Sequence, residues 1–438
     1  MENIQYPENF FKLIFQLREN FTKQSFKHFQ VILSAILLGG PKKTITSGIR
    51  LMQPKCHFSN IHRFVSRYKW NIVPVICSLL KMITKRLNLS KHFIFALDDT
   101  LIPKYGNKIF GRGCHFDHAS KPNSPKYILG HNWVVLGLLY YWDMFSKWIC
   151  FPLFSQLFIP KNQLEEKVQY KSRISIAIEM ITRIQLFLNQ SFTLVADGLY
   201  AKRQLVRFCI EKGITLISRM RNDAVLYSLP KACKPRKRGR PRKYGKRLGN
   251  PKTFGADPKG FKTIRLKLYG ELHNINYKTM IAIWKPAGAP IKLFIVRFDD
   301  SKALSYFFST DISTSVERAL TILAARWSIE TLFSDLKEHL GMKDWQVRVQ
   351  GSVMRSVPLT CVATSLLMLW SMLEANQKAP EFWDIQPWVS QKSSPSMFDL
   401  MNQFKARCIS KSIFDIFRDK GIEAQKYRQI ETILRRAA

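Results

Sequence analysis

The stretch RWSIETLFSDLK (326–337) sets a carboxylate between two cations at the spacing of one helix face. On a helix of 3.6 residues per turn, Arg326, Glu330 and Lys337 stand at i, i+4 and i+11 and project to one side. Ile329, Phe333, Leu336 and Leu340 form the neighbouring apolar stripe, which can anchor the helix in a core. A carboxylate flanked by cations suits a site that must hold both a metal ion and a phosphate. A surface helix with an i,i+4 ion pair is the plainer reading of the same residues. Two further acidic positions stand out: FIFAL (93–97) ends in Asp98-Asp99-Thr100, and FTLVAD (192–197) ends in Asp197. An aspartate after a strand is often only a helix cap or a turn residue. If folding brought them together, one of Asp98 and Asp99, with Asp197 and Glu330, would supply the hard oxygen ligands that Mg²⁺ prefers. Two such ions could activate an attacking hydroxyl and stabilise the leaving oxygen of an in-line phosphoryl transfer.

The charge balance says what such a site would act on. Across 438 residues, 69 Lys and Arg face 31 Asp and Glu, a formal +38. A protein this basic meets a polyanion, and its binding is strongly salt dependent through counterion release. The basic residues run along the whole chain, which suggests a long track and not one small pocket. Aromatic residues at 13% set it apart from simple packing proteins of ribosomes or chromatin. The eight cysteines form no CxxC pair and most lie in apolar runs, so neither a disulfide framework nor a zinc ribbon is expected. Cys114, His115, Asp117, His118 and His131 likewise fit no ordinary structural zinc spacing. The first residues, MENIQYPENFF, carry no basic start followed by an apolar run, so no secretory leader is expected. The longest apolar segment, 357–373, is interrupted by Pro358, Thr360, Thr364, Ser365 and Ser371, and reads as a buried helix and not a membrane span. A cytoplasmic protein follows.

The elements that must position these groups come in a definite order. Residues 1–90 read as helices, with a possible helix-turn-helix DNA reader around Gln53-Pro54-Lys55. From 91 to 220 the pattern is strands at 93–97, 133–142 and 148–159, a helix over 166–189, a strand at 192–197, a helix over 201–212 and a strand at 214–220. Alternation of this kind predicts an α/β domain. Residues 221–311 form a β-rich insertion that opens with a basic loop, 231–262, dense in Lys, Arg, Pro and Gly. Residues 312–375 carry the Glu330 helix and the buried helix, and 376–438 are a basic helical C-terminal region.

The chain resembles bacterial insertion-sequence transposases with a DDE site and the signature Tyr-x2-Arg-x3-Glu-x6-Lys. Arg326, Glu330 and Lys337 match; the tyrosine position is Leu323, so its phosphate contact is absent or made by another group. Arg326-Trp327-Ser328-Ile329-Glu330 is similar to the core of the hairpin-forming members. Asp98-Asp99-Thr100 is similar to the first-aspartate motif, in which the aspartate before threonine is the ligand, and Asp197 in VADGLY to the second. The resemblance therefore implies an RNase H-like catalytic core interrupted by the β-rich insertion. Its site would be Asp99, Asp197 and Glu330, with Asp98 the lesser candidate, holding two Mg²⁺ ions or Mn²⁺ in their place. It implies cut-and-paste transposition on double-stranded DNA by a homodimer in a synaptic complex, cytoplasmic and nucleoid-associated, with no membrane partner. Arg326 and Lys337 would position phosphates.

Other DNA contacts are weighed beside it. Arg238, Arg240 and Arg242 lie in an RGRP segment like that of AT-hook peptides, suited to a narrow minor groove or to nonspecific phosphate contact. Trp284 and Trp327 could stack on a displaced base; a core role is the simpler expectation for both. A catalytically silent or domesticated transposase that only binds DNA is the alternative, as is a metal-dependent nuclease without strand transfer.

Overall fold

The computed structural model describes residues 5–117, 123, 126–164, 169–230, 242–299, 301, 303–377 and 394–418. Helices open the chain: α1 (Glu8–Phe15), α2 (Lys23–Leu38), α3 (Ile45–Met52), α4 (Phe58–Ser66) and α5 (Ile72–Arg86). Their starts are chemically marked. Thr22 caps α2 through the Ser25 amide, Thr44 and Ser47 form a reciprocal capping box on α3, and Asn71 caps α5. The turn at Gln53-Pro54 ends α3 with Gln53 left-handed. Gly48 lets α3 press onto α2, because a Cβ there would lie 2.6 Å from the Val31 carbonyl.

The strands follow: β1 (Ile94–Pro103), β2 (Gly113–Phe116), β3 (Tyr127–Trp142) and β4 (Lys147–Phe158); then α6 (Arg173–Leu188), β5 (Thr193–Ala196), α7 (Arg203–Glu211) and β6 (Thr215–Arg219). β3 lies antiparallel between β1 and β4, while β5 runs parallel to β1 and to β6. The order β4-β3-β1-β5-β6 is that of an RNase H-like core. One expectation is corrected here: β1 does not stop at the aspartates. Asp98 and Asp99 pair with Val135 and Val134 in mid-strand, because the long β3 carries the ladder on to Pro103. The helix expected from 166 begins at Arg173, where Ser172 caps the Ser175 amide.

The inserted segment continues the same sheet. Its elements are β7 (Leu226–Tyr227), β8 (Arg247–Gly249), α8 (Pro251–Ala256), β9 (Lys262–Leu268), β10 (Glu271–Trp284), β11 (Pro290–Phe298) and β12 (Ser305–Ser309). β12 pairs with β6 on one side and β11 on the other, joining insertion to core. The stretch read as one basic loop thus contains β8 and α8; Asn250 caps α8 through the Thr253 amide and Pro251 fits its first turn.

The chain ends in α9 (Val316–Ala325), α10 (Trp327–Glu338), α11 (Gln350–Gln377) and α12 (Met397–Arg418). α11 is the one described helix long and apolar enough to cross a membrane, and 94% of its apolar window is buried inside the fold. It lies against β4 and against α1, α2, α4, α5 and α12. The N-terminal helices and the catalytic-type sheet therefore share one apolar core through this helix.

Candidate active site

Strand register brings the acidic groups together. Ala96 lies beside Val195 and Leu97 beside Ala196, so continuing the parallel ladder sets Asp98 next to Asp197 at the end of β5. Successive strand side chains point to opposite faces, and Asp98 shares its face with Ala96. On that face stands the α9–α10 junction, where Arg326 keeps helical dihedrals between the two helices. Its Nη1 donates to Asp98 Oδ2 at 2.9 Å and its Nη2 to Glu330 Oε1 at 2.7 Å. One guanidinium thus ties the centre of β1 to the first turn of α10. The helix itself is anchored by Ile329, Leu332, Phe333 and Leu336, all buried.

Burial dominates the electrostatics of the site. Burial pushes the Asp98 carboxyl up to about 7; Arg326 opposes this, and the neighbouring Asp99 and Asp197 charges add to it. Asp197 begins the turn Gly198–Tyr200, and its Oδ2 lies 3.5 Å from the Leu199 amide. The helix-cap reading of Asp197 and its place beside Asp98 hold together in one residue.

Asp99, preferred from the motif, is on the other face of β1. There Tyr200 donates its hydroxyl to Oδ1 at 3.0 Å and Asn132 Nδ2 donates to Oδ2 at 2.8 Å. Arg173, at the start of α6, is 3.6 Å from the same Oδ2. Burial and the Asp99 charge hold the Tyr200 phenol well above the ordinary tyrosine range. The two aspartates part for a simple reason: adjacent residues of one strand face opposite sides. Asp98, the lesser candidate, is the one beside Arg326 and Asp197. Tyr200, Asn132 and Arg173 were not anticipated, and no spacing in the sequence points to them.

The remaining candidates divide. Trp327 is 55% exposed next to Arg326. Lys337 is partly buried, which lowers its ammonium pKa, and the opposite charges that act on it are Asp117 and Glu338. It lies about 10 Å further along α10 than Glu330 and is not brought to Asp98. Trp284 is half-buried at the end of β10, its ring 5.2 Å from Phe308, so it packs within the extended sheet. Arg242 is exposed, while Arg238 and Arg240 lie outside the described residues. Leu323 packs between the two apolar clusters that meet at α9. Asp335 lines a cavity with Lys147, Trp148 and Met397. Burial there pushes its carboxyl up to about 6. Glu338 pairs with Lys343 at 2.6 Å.

Among the described residues, no three His, Cys, Asp or Glu side chains close around a common point. Arg326 takes the space between Asp98 and Glu330. The donor set still fits a hard divalent cation: Asp98 and Glu330 share one arginine, Asp197 lies beside Asp98, and all three offer carboxylate oxygens.

Two family models match the chain in succession. A family model described as DDE superfamily endonuclease matches residues 16–268, which contain Asp98, Asp99 and Asp197. A second, described as archaeal putative transposase ISC1217, matches residues 267–369, which contain Arg326 and Glu330. No curated protein matches the chain.

Proposed function

Because the chain belongs to the DDE superfamily endonuclease family, we propose that it is a DNA transposase that cuts at the ends of its own element and joins them to target DNA. The observation that carries this reading is the Arg326 bridge from Asp98 to Glu330, two carboxylates from distant parts of a strongly basic chain, with Asp197 on the strand beside Asp98. Asp98, Asp197 and Glu330 are the residues that would hold divalent metal, two Mg²⁺ ions or Mn²⁺ in their place. Such ions supply an activated oxygen nucleophile and neutralise the charge that develops on the phosphoryl group. Arg326 does a complementary job: its planar fork suits the paired oxygens of a phosphate as well as those of a carboxylate. A phosphate entering the site competes with Asp98 and Glu330 for that fork, freeing both carboxylates for their other partners. Trp327, exposed next to Arg326, borders the path of the DNA strand. The partner is double-stranded DNA, held by a homodimer that brings two ends together in the cytoplasm, at the nucleoid.

The test is Mg²⁺-dependent cleavage of a DNA fragment carrying the sequences that flank the gene, with wild type and Glu330→Gln side by side. The reading requires a cut at a discrete flank position that the variant loses by roughly a thousandfold. Binding without cleavage by the wild type would instead favour a silent DNA-binding descendant of such an enzyme.

A further inference from the structure

The hairpin between β9 and β10 ends at the active site. Glu271 pairs with Leu268, leaving only Tyr269 and Gly270 in the turn. Both have positive φ, 54° and 89°, the type I′ geometry of a two-residue hairpin. Glycine adopts this at no cost and asparagine tolerates it well, but a bulky residue at the first position is rare and strained. Tyr269 is therefore not the residue the turn itself selects.

The tip is firmly placed. Leu268, only 4% exposed, is buried in an apolar cluster with Val316, Ala319 and Leu320 of α9, and Leu323 and Ala324 pack against the same cluster. Arg326 follows directly at the end of that helix. Docking Leu268 on α9 thus holds the neighbouring Tyr269, 63% exposed, against that helix. Its phenol lies close enough to the junction to feel both the Arg326 and the Glu330 charges. An exposed tyrosine whose phenol is partly desolvated near Arg326, on a strained but anchored turn, has the placement of a ligand contact.

We propose that Tyr269 touches the DNA strand being cut, its hydroxyl donating a hydrogen bond to a backbone phosphate next to the one Arg326 engages or to that phosphate itself. The inference rests on the transposase reading and adds a substrate contact supplied by the β-rich insertion. It also gives the insertion a task at the site: delivering a donor that the core helices do not carry.

The experiment compares wild type, Tyr269→Phe and Tyr269→Asn on flank DNA, measuring metal-free affinity, Mg²⁺-dependent cleavage and thermal unfolding. A parallel set of duplexes carries a neutral methylphosphonate at single positions around the cut. Asparagine suits the turn, so that variant should unfold no earlier than wild type. Both variants should nevertheless bind flank DNA roughly tenfold more weakly, the effect of one lost hydrogen bond to a charged group. At one position the methylphosphonate should weaken wild type but not Tyr269→Phe. Equal affinities and rates for all three proteins would overturn the proposal, as would a methylphosphonate penalty identical in wild type and Phe at every position. Failure of the wild type to cut flank DNA would count against the transposase reading, while the affinities still decide the role of Tyr269.

Discussion

Asp98→Asn is expected to abolish metal-dependent cleavage, by about a thousandfold or more, while Asp99→Asn should leave a measurably active enzyme. The two residues are neighbours with the same side chain, so the contrast comes only from which face of β1 each occupies. Asp98 faces Arg326, with Asp197 and Glu330; Asp99 is satisfied by Tyr200 and Asn132. Asn at 99 keeps an oxygen for Tyr200 but turns an NH2 toward Asn132 Nδ2 and loses the charge facing Arg173, a structural cost of about 1–3 kcal/mol. The metal-free protein adds a second readout. Asp98 titrates near 7 in the fold against an ordinary 3.8, so between these values the folded state holds a proton that the unfolded chain has released. Stability must then fall as pH rises from about 4 to about 7. Asp335, raised to about 6, contributes with the same sign. Asp98→Asn should flatten this slope in chelator-treated protein, measured by thermal unfolding across that range. Cleavage that survives Asp98→Asn but not Asp99→Asn would place the site on the opposite face of the strand.

Arg355→Ala has the largest expected effect on stability, about 2–4 kcal/mol. From α11 its Nη1 donates to the Phe64 and Val65 carbonyls at 3.2 and 3.1 Å. Its Nη2 donates to those of Tyr68 and Trp70 at 2.7 and 3.1 Å. The guanidinium also lies 4.7 Å from the centre of the Trp70 ring. Carbonyls at the end of a helix such as α4 have no partner within the helix, and this one side chain serves several of them at once. Lysine could not reach four acceptors with one compact ammonium, so Arg355→Lys should recover only part of the loss. Because the N-terminal helices share the core of α11, denaturant unfolding should remain a single transition at a lower midpoint. A loss below about 0.5 kcal/mol would mean that water satisfies those carbonyls equally well.

The sequence exposed most of the helices and most of the strands of the core, because their apolar periodicity is strong and their caps are chemically distinctive. The stretch 326–337 showed both its buried stripe and its Arg326–Glu330 pair, since an i,i+4 relation is local. Choosing between Asp98 and Asp99 was a different problem. FIFAL is apolar at every position because β1 is buried on both faces, so no alternation marks which side faces the Glu330 helix. That distinction lives in the register of β1 on β5, a pairing of residues about a hundred positions apart. The same holds for the continuity of the insertion with the core sheet, which depends on β12 seating against β6. Asp335 shows the same limit: its helix angle lies away from Glu330, and only the packing of α10 near α12 and β4 turns that direction inward.

The most direct test of the site replaces Mg²⁺ by Fe²⁺ in the protein bound to flank DNA and generates hydroxyl radicals at the bound ion with peroxide and ascorbate. Mass spectrometry of the cut polypeptide then reads which backbone segments surround the metal. Cuts near residues 98, 197 and 330, suppressed together by excess Mg²⁺, are the predicted result. Cuts confined to other segments, or cuts at these three that excess Mg²⁺ does not suppress, would contradict a metal site built from Asp98, Asp197 and Glu330.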